Sequence, residues 1–466
     1  MPVVPAVGPV GSVRSGLVAM GGDRLEGGVA RLGHSQSSNM FVSTSVARPG
    51  ALLTGMAGNT TAVEDTNWPE WSLIALAVAL ALPGIYLRLS GTSLGTVPDT
   101  ALHGLAIVAA AFLLSWAAEA AQVDVSQGLA LALIAFIAVL PEYAVDVTFA
   151  WKAGRDPQFA PYAVANMTGA NRVLVGLAWP LIFGLFWLKA RRPVLTLERG
   201  HAIEIFALAL ATVYSFTMLL RREIGLLDTA VLAVLFIAYV TLIARAPTES
   251  PHLVGPSRAL GTLPRPKRYA GIAGLFLFAA IAIFAVAEPF AGGLITTGTA
   301  LGIDQFLLVQ VVAPIASEAP EFLIAGLLAV RGRAGAGLGA LISSKVNQWT
   351  LLIGALPVAY DLAGGHIRPL PLDPRQMEEL FLTAAQSAFA VALLARLNLT
   401  WWGATTLFGL FAVQFAIPTV TVRLAIAWLY VALAMLVLAI RRTSLRDLTR
   451  TVRECAAAYA TSRQQE

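Results

Sequence analysis

The stretch "AVLPEYAVD", Ala138 to Asp146, lies inside an apolar run that begins near Gly128. It places Pro141, Glu142 and Asp146 where a bilayer-spanning helix disfavours all three. Proline lacks the N–H that a helix needs, and carboxylates are costly away from water. Glu142 and Asp146 are four residues apart, so a helix presents both on one face. A break and two acids in mid-span mark this segment as more than a membrane anchor.

Composition makes the run a membrane segment. The chain has 466 residues, 57% hydrophobic and 13% charged, against about 25% charged in soluble domains. Its mean hydropathy is +0.73, and apolar stretches of about 20 residues recur along it. These features imply an all-α, polytopic membrane protein whose first partner is the lipid bilayer, and they exclude a soluble domain. The formal charge of +5 comes with arginines in short loops beside apolar spans. That pattern reads as cytoplasmic retention, not nucleic-acid binding. The single cysteine, Cys455, excludes an intramolecular disulfide and a cysteine-based metal site. No cofactor and no oligomeric state are implied.

Residues 1–68 are rich in Gly, Ala, Val and Ser without periodicity. They are expected to be a disordered tail, or an over-extended start with Met40 or Met56 as initiator. About twelve spans fit the rest: 71–89, 101–122, 126–151, 161–188, 200–220, 225–244, 269–292, 304–330, 335–360, 376–396, 400–418 and 421–440. The basic connections 189–200, 245–268 and 331–333 and the tail from Arg441 fall on one side, which is taken as cytoplasmic. Both termini then face the cytoplasm, and the expected location is a prokaryotic plasma membrane.

The opening stretch has a counterpart. "VLPEYAVDVTFAWKAGR" (139–155) resembles "EAPEFLIAGLLAVRGR" (318–333), and each is followed by a small-residue helix with asparagines, "AVANMTGANRVLVGLAWP" and "ALISSKVNQWTLLIGALP". Weaker echoes, "LLSWAAEA" (113–120) and "AIFAVAEP" (282–289), precede them. The two Pro-Glu pairs fall in the third and eighth spans, an odd offset of five, so the repeats run through the membrane in opposite directions. Inverted repeats with broken helices point to a secondary transporter with its site at the midplane. Pro141 frees the carbonyl of Ile137, and Pro320 that of Ala316. With Glu142 and Glu321 facing each other across the pseudo-twofold, carbonyls and carboxylates make an all-oxygen site suited to Ca²⁺ or Na⁺.

At these residues the chain resembles the calcium/cation antiporter superfamily, which includes the sodium/calcium exchangers. Its repeats carry Gly-Thr-Ser-x-Pro-Glu and then Gly-Asn-x-x-Gly-Ser-Asn. Leu140-Pro141-Glu142 with "NMTGAN" (166–171) is similar to the first repeat, and Ala319-Pro320-Glu321 with "SSKVN" (343–347) to the second. The resemblance implies Glu142 and Glu321 as central cation ligands, with Asn171 and Asn347 as amide ligands. Ser317, Ser343 and Ser344 join the candidate set. It also implies two inverted five-helix repeats, at 101–244 and 269–418, joined by the linker 245–268. A first span with its loop (69–100), a final span (419–440) and a basic tail (441–466) flank them.

The departures from that pattern are informative. Ala138 and Val139 stand where the family has hydroxyls, which weakens the case for sodium coupling. Glu318 adds a carboxylate one turn from Glu321, and Asp146 one turn from Glu142. Arg172 and Lys345 are the modulating charges, expected to pair with these acids because buried ions require partners. Glu119 and Glu288 are expected at opposite interfaces. Asn166 and Trp116, Trp151, Trp179, Trp187 and Trp349 are expected to be packing or interfacial residues. The expected function is sodium/calcium exchanger-like antiport of Ca²⁺ or a related cation, with proton-coupled exchange as the alternative. An intramembrane enzyme using paired carboxylates is a third reading, and an ion channel a fourth. The enzyme lacks support because none of the five histidines falls in the repeat motifs.

Overall fold

Backbone groups in hydrocarbon must bond within their own segment, so an apolar chain of this kind folds as helices. The computed structural model describes residues 68–123, 140–245, 253 and 255–462. The expectations for residues 1–67 and for the first half of span 126–151, including Ala138 and Val139, lie outside these residues.

Two helices come first, α1 (Trp68–Ser90) and α2 (Thr96–Ala121). The first motif follows as α3 (Leu140–Arg155), then α4 (Ala160–Val173), a π-helical turn at Leu174–Ala178, and α5 (Trp179–Ala190). Strand β1 (Val194–Thr196) leads to α6 (Ala202–Arg221), then β2 (Glu223–Ile224) and α7 (Leu226–Ile243). The linker carries a short helix, α8 (Pro256–Gly261), before the long α9 (Arg265–Leu301). The second motif is α10 (Gln305–Val330), then α11 (Ala334–Asn347), a π turn at Gln348–Leu352, and α12 (Ile353–Gly364). Next come β3 (Leu370–Pro371), α13 (Pro374–Leu394), β4 (Asn398–Thr400), α14 (Trp401–Ala416) and α15 (Val420–Ile440). The basic tail forms an amphipathic helix, α16 (Ser444–Ser462), which sequence reading did not resolve from a plain tail.

Nine helical runs among the described residues are long and apolar enough to cross a membrane. Of the expected spans, α3, α11–α12 and α14 are not among the nine. α14 has only 16 residues, α3 carries the acids, and α11 carries the polar run Ser343–Gln348.

The strands record the symmetry of the fold. β1 pairs antiparallel with β4, Leu195 opposite Leu399, and β2 pairs with β3, Ile224 opposite Leu370. By order, β1 and β3 are equivalent in the two repeats, as are β2 and β4. Exchanging the repeats turns one pair into the other. The two pairs also lie at opposite ends of α6 and of α13, so the exchange inverts the molecule end for end. α3 therefore runs toward the β2–β3 end, and α10 runs away from it. Gly154 of α3 packs on the carbonyl of Tyr360 in α12, and Lys189 after α5 donates to the carbonyl of Val330 at the end of α10. Both contacts agree with that assignment.

Helix α13 is enclosed by protein along most of its length, whereas α1, α7 and α15 expose most of theirs. Its Ala384, Ala385, Thr383 and Ser387 are small, and Thr383 and Ser387 hydroxyls bond carbonyls one turn back, which permits close helix packing. The outer helices show Leu89, Leu220 and Trp402 to the surroundings, as a lipid-facing surface requires. Trp179 and Trp349 are wholly buried, so these two are core residues and not part of an interfacial belt.

The expected interruption at Pro320 is not a break. α10 is continuous through Pro314 and Pro320, because losing one bond in a ladder leaves its neighbours to hold the helix. Each proline still leaves the carbonyl four residues back without its N–H donor. The carbonyl so freed by Pro314 is that of Gln310, and Gly169 of α4 lies directly against it. A Cβ at position 169 would overlap this backbone oxygen. Overfilling such a contact costs about 1–3 kcal/mol. Gly169→Ala should therefore lower the melting temperature of the detergent-solubilised protein. Gly184→Ala, where a Cβ meets nothing within 4 Å, should leave it unchanged. Equal stability of the two variants would show that the α4–α10 contact is not tight.

Candidate functional site

Four helices bring the acids together. On α3, Glu142 and Asp146 occupy successive turns, and both are buried. On α10, Glu318 is buried and Glu321 half-buried, one turn apart. α3 and α10 pack against each other, so the two pairs share one neighbourhood.

Amides from the following helices hold the acids in place. Asn166 of α4 donates its Nδ2 to Asp146 Oδ1 at 2.9 Å, and Gln348 at the α11 π turn donates its Nε2 to Glu318 Oε1 at 2.8 Å. π turns are frequent at functional sites because the extra residue re-aims side chains. Both repeats place one directly after the asparagine-bearing helix. The expected pairing of these acids with Arg172 and Lys345 is replaced by amide contacts. Asn166 touches the acids directly, a function its packing assignment missed. Gln348 went unnoticed because it follows the recognised motif by one residue.

Lys345 is completely buried. Its Nζ donates to Asn171 Oδ1 at 2.6 Å and lies 4.4 Å from the centre of the Trp349 ring. The expected ion pair with Glu318 or Glu321 is not present. Lys345 ties α11 to α4, and its charge acts on Glu318 and Glu142 from farther away. Asn171 also donates its Nδ2 to the carbonyl of Met167. Asn347 accepts from the Tyr143 hydroxyl at 3.3 Å.

The serines are committed elsewhere. Ser317 donates to the carbonyls of Ala313 and Pro314 in its own helix. Ser343 faces away from the acids, bonding Glu204 at 2.9 Å and Tyr239 at 2.8 Å. Glu204 also holds His201 at 2.5 Å. Ser344 is half-buried, with no side-chain hydrogen bond among the described residues.

Arg172 belongs to a different network. It pairs with Glu379 of α13, and Arg423 of α15 pairs with Glu378 and, at 3.0 Å, with Glu379. Gln414 of α14 accepts from Arg172 at 3.2 Å. Nothing in the repeat motifs flags Glu378 and Glu379. Their signal is two adjacent acids one turn inside a predicted span.

A cavity of about 710 Å³ runs beside α3 from Tyr143 toward the β2–β3 end, past Trp151, Lys152 and Arg155 to Asp156. Glu288 of α9 stands in its wall, 3.1 Å from Arg88 and 3.7 Å from Lys152. Glu119 lies toward the other end, bonded to Ser257 at 2.7 Å and within electrostatic range of Glu321.

Several polar atoms in this group are buried without a hydrogen bond: Glu142 Oε1, Asp146 Oδ2, Asn166 Oδ1, Glu318 Oε2, Glu321 Oε2 and Gln348 Oε1. These six are oxygens, the donor set of hard cations, while Asn347 Nδ2 and Trp349 Nε1 beside them are also buried without a hydrogen bond. Among the described residues no three carboxylate, imidazole or thiol side chains converge on one metal position. Neutral oxygens would have to complete any cation's shell.

None of the curated proteins compared matches the chain. The crystal structure of the H⁺/Ca²⁺ exchanger CAX is 42% identical, with a TM-score of 0.81, and the match covers 84% of this chain and 99% of that one. The Ca²⁺/H⁺ antiporter YfkE is 15% identical with a TM-score of 0.51, covering 74% of this chain and 98% of that one, a likeness of fold alone. The family model for the sodium/calcium exchanger protein matches residues 100–245 and 271–420. These segments contain both acid motifs and their asparagine helices, and the chain is a member of the sodium/calcium exchanger protein family.

Proposed function

We propose that the protein is a Ca²⁺/H⁺ antiporter working by alternating access, with Glu142 and Glu321 as the central ligands. The observation that carries this reading is the set of buried carboxylate oxygens without partners. Four carboxyl groups crowded into the protein interior cannot all stay charged and alone. Each charge requires a proton or a metal ion, so release of one favours uptake of the other. Exchange follows from that competition when the site opens to one face at a time.

The counter-ion reading rests on what the hydroxyls do. Sodium favours several neutral oxygen ligands, yet Ser317 bonds its own helix and Ser343 bonds Glu204. The similar protein CAX is an H⁺/Ca²⁺ exchanger, which points the same way. Sodium coupling is the second reading, carried by the family resemblance.

In inside-out vesicles, an acid-inside pH gradient should drive Ca²⁺ uptake, and a sodium gradient at fixed pH should not. Glu142→Gln and Glu321→Gln should each bring uptake to background while the protein remains folded in the membrane. Uptake driven by sodium alone would replace the proton, and full transport by either variant would remove the central pair.

The arginine asymmetry supports an orientation with the β1–β4 end and both termini in the cytoplasm. Cys455 is a poor reporter of it. Burial pushes its thiol up from the ordinary range, and its Sγ contacts the carbonyl of Arg199 at 3.6 Å. Exposed positions serve better. In a Cys455→Ser background, Ile367→Cys near the β2–β3 end should react with an impermeant thiol reagent on intact cells, and Arg331→Cys should not. The opposite pattern would invert the orientation.

A further inference from the structure

The two repeats do not contribute acids at the same level. Glu142 and Glu321 are equivalent, but each has an additional acid on its helix, at i+4 in α3 and at i−3 in α10. Because α3 runs toward the β2–β3 end and α10 away from it, both offsets point the same way. At 1.5 Å per residue, Asp146 lies about 6 Å and Glu318 about 4.5 Å nearer that end than its central partner. An inverted repeat with like offsets would place one added acid on each side. This chain places both on one side.

The amides follow the same pattern. Asn166 holds one oxygen of Asp146, and Gln348 holds one oxygen of Glu318. These four side chains are 0%, 0%, 2% and 0% exposed for Asp146, Asn166, Glu318 and Gln348. Each keeps an oxygen with no hydrogen bond: Asp146 Oδ2, Asn166 Oδ1, Glu318 Oε2 and Gln348 Oε1. Buried amide oxygens ordinarily find donors. Two left without one beside two half-satisfied carboxylates amount to four oxygens lacking a positive partner. α4, which carries Asn166, packs against both α10 and the π turn of Gln348, so the two halves share one region of the interior. Two carboxylates and two amide oxygens, with water, make the mixed shell that Ca²⁺ accepts.

We propose that Asp146, Asn166, Glu318 and Gln348 form a second divalent-cation subsite, one turn from Glu142 and Glu321 toward the β2–β3 end. The proposal rests on the antiport reading above. By these axial offsets, an ion arriving from the β2–β3 end reaches this subsite before the central pair. Its two carboxylates offset the ion's charge while the amide oxygens replace part of its water. The passage to the central pair is then a short step between oxygen sets. From the β1–β4 end the same ion meets the central pair first. The subsite therefore makes capture one-sided.

The test measures initial Ca²⁺ transport with no Ca²⁺ on the far side, in vesicles of both orientations, so that KM is read at each face. Asp146→Asn and Glu318→Gln should each raise KM at the β2–β3 face by about tenfold or more. KM at the β1–β4 face should change far less, and the ratio of the maximal rates in the two directions should shift in proportion, as an unchanged exchange equilibrium requires. Gln348→Ala, which leaves every acid in place, should give the same one-sided rise, and it carries the test if an acid variant fails to reach the membrane. Equal changes at both faces, or a rise in neither, would overturn the subsite and return these residues to structural support. Failure of the antiport reading looks different, since the unaltered protein would then show no proton-driven Ca²⁺ exchange at either face.

Discussion

A charge buried away from water has to be matched, and that requirement shapes this protein from its backbone outward. Helices satisfy their own polar groups, so most of the chain can be apolar. The exceptions are confined to two regions, and the regions solve the problem differently. Around Arg172 the chain supplies its own counter-charges. Two arginines meet two glutamates from α13, and the ions are matched within the protein. Around Glu142 and Glu318 it supplies amides for some oxygens and leaves others unmatched. The first region carries two charges of each sign and is neutral by itself. On the antiport reading, the second is completed when a proton or a cation joins it.

The two regions are connected through α4. Asn171 and Arg172 are consecutive, and they point to opposite partners, Lys345 on one side and Glu379 on the other. Removing one member of a buried pair leaves its partner uncompensated, at a cost of about 3–5 kcal/mol. α4 is thereby held from both sides while its Asn166 is held to Asp146. Arg423 comes from α15, outside the segments that match the family. A helix added to the core thus neutralises acids within it, which explains how Glu378 and Glu379 can be buried at all.

Much of this was legible in the sequence. Apolar runs at bilayer length gave the helices, and the duplicated Pro-Glu motif located two of the four site helices and their inverse relation. What failed was partner choice. Arg172 and Lys345 were matched with the nearest acids in sequence, but the rotation of α4 and α11 turns one toward α13 and the other toward Asn171. A π turn of one extra residue decides where Gln348 points, and no propensity marks it in advance. The proline expectation failed for a related reason. A missing N–H at Pro320 weakens one rung, whereas continuity depends on all the others, and packing against α4 supports them. Motifs name the residues that carry charge, but three-dimensional rotation decides which charges meet.

The departure from symmetry has a mechanical consequence. A perfectly symmetric inverted repeat would present identical sites to both faces and would differ only in which face is open. Here Asp146 and Glu318 both lie toward the β2–β3 end of their helices, whereas Glu119 and Glu204 lie toward the other end. With the proposed subsite in place, a cation from the β2–β3 side would meet two carboxylates before the central pair. Such an asymmetry does not alter the thermodynamics of exchange, which the two ion gradients fix. It alters the rates, by favouring capture at one face and release at the other. Direction in an exchanger of this type then comes from the gradients, while the placement of Asp146 and Glu318 sets how fast each direction runs.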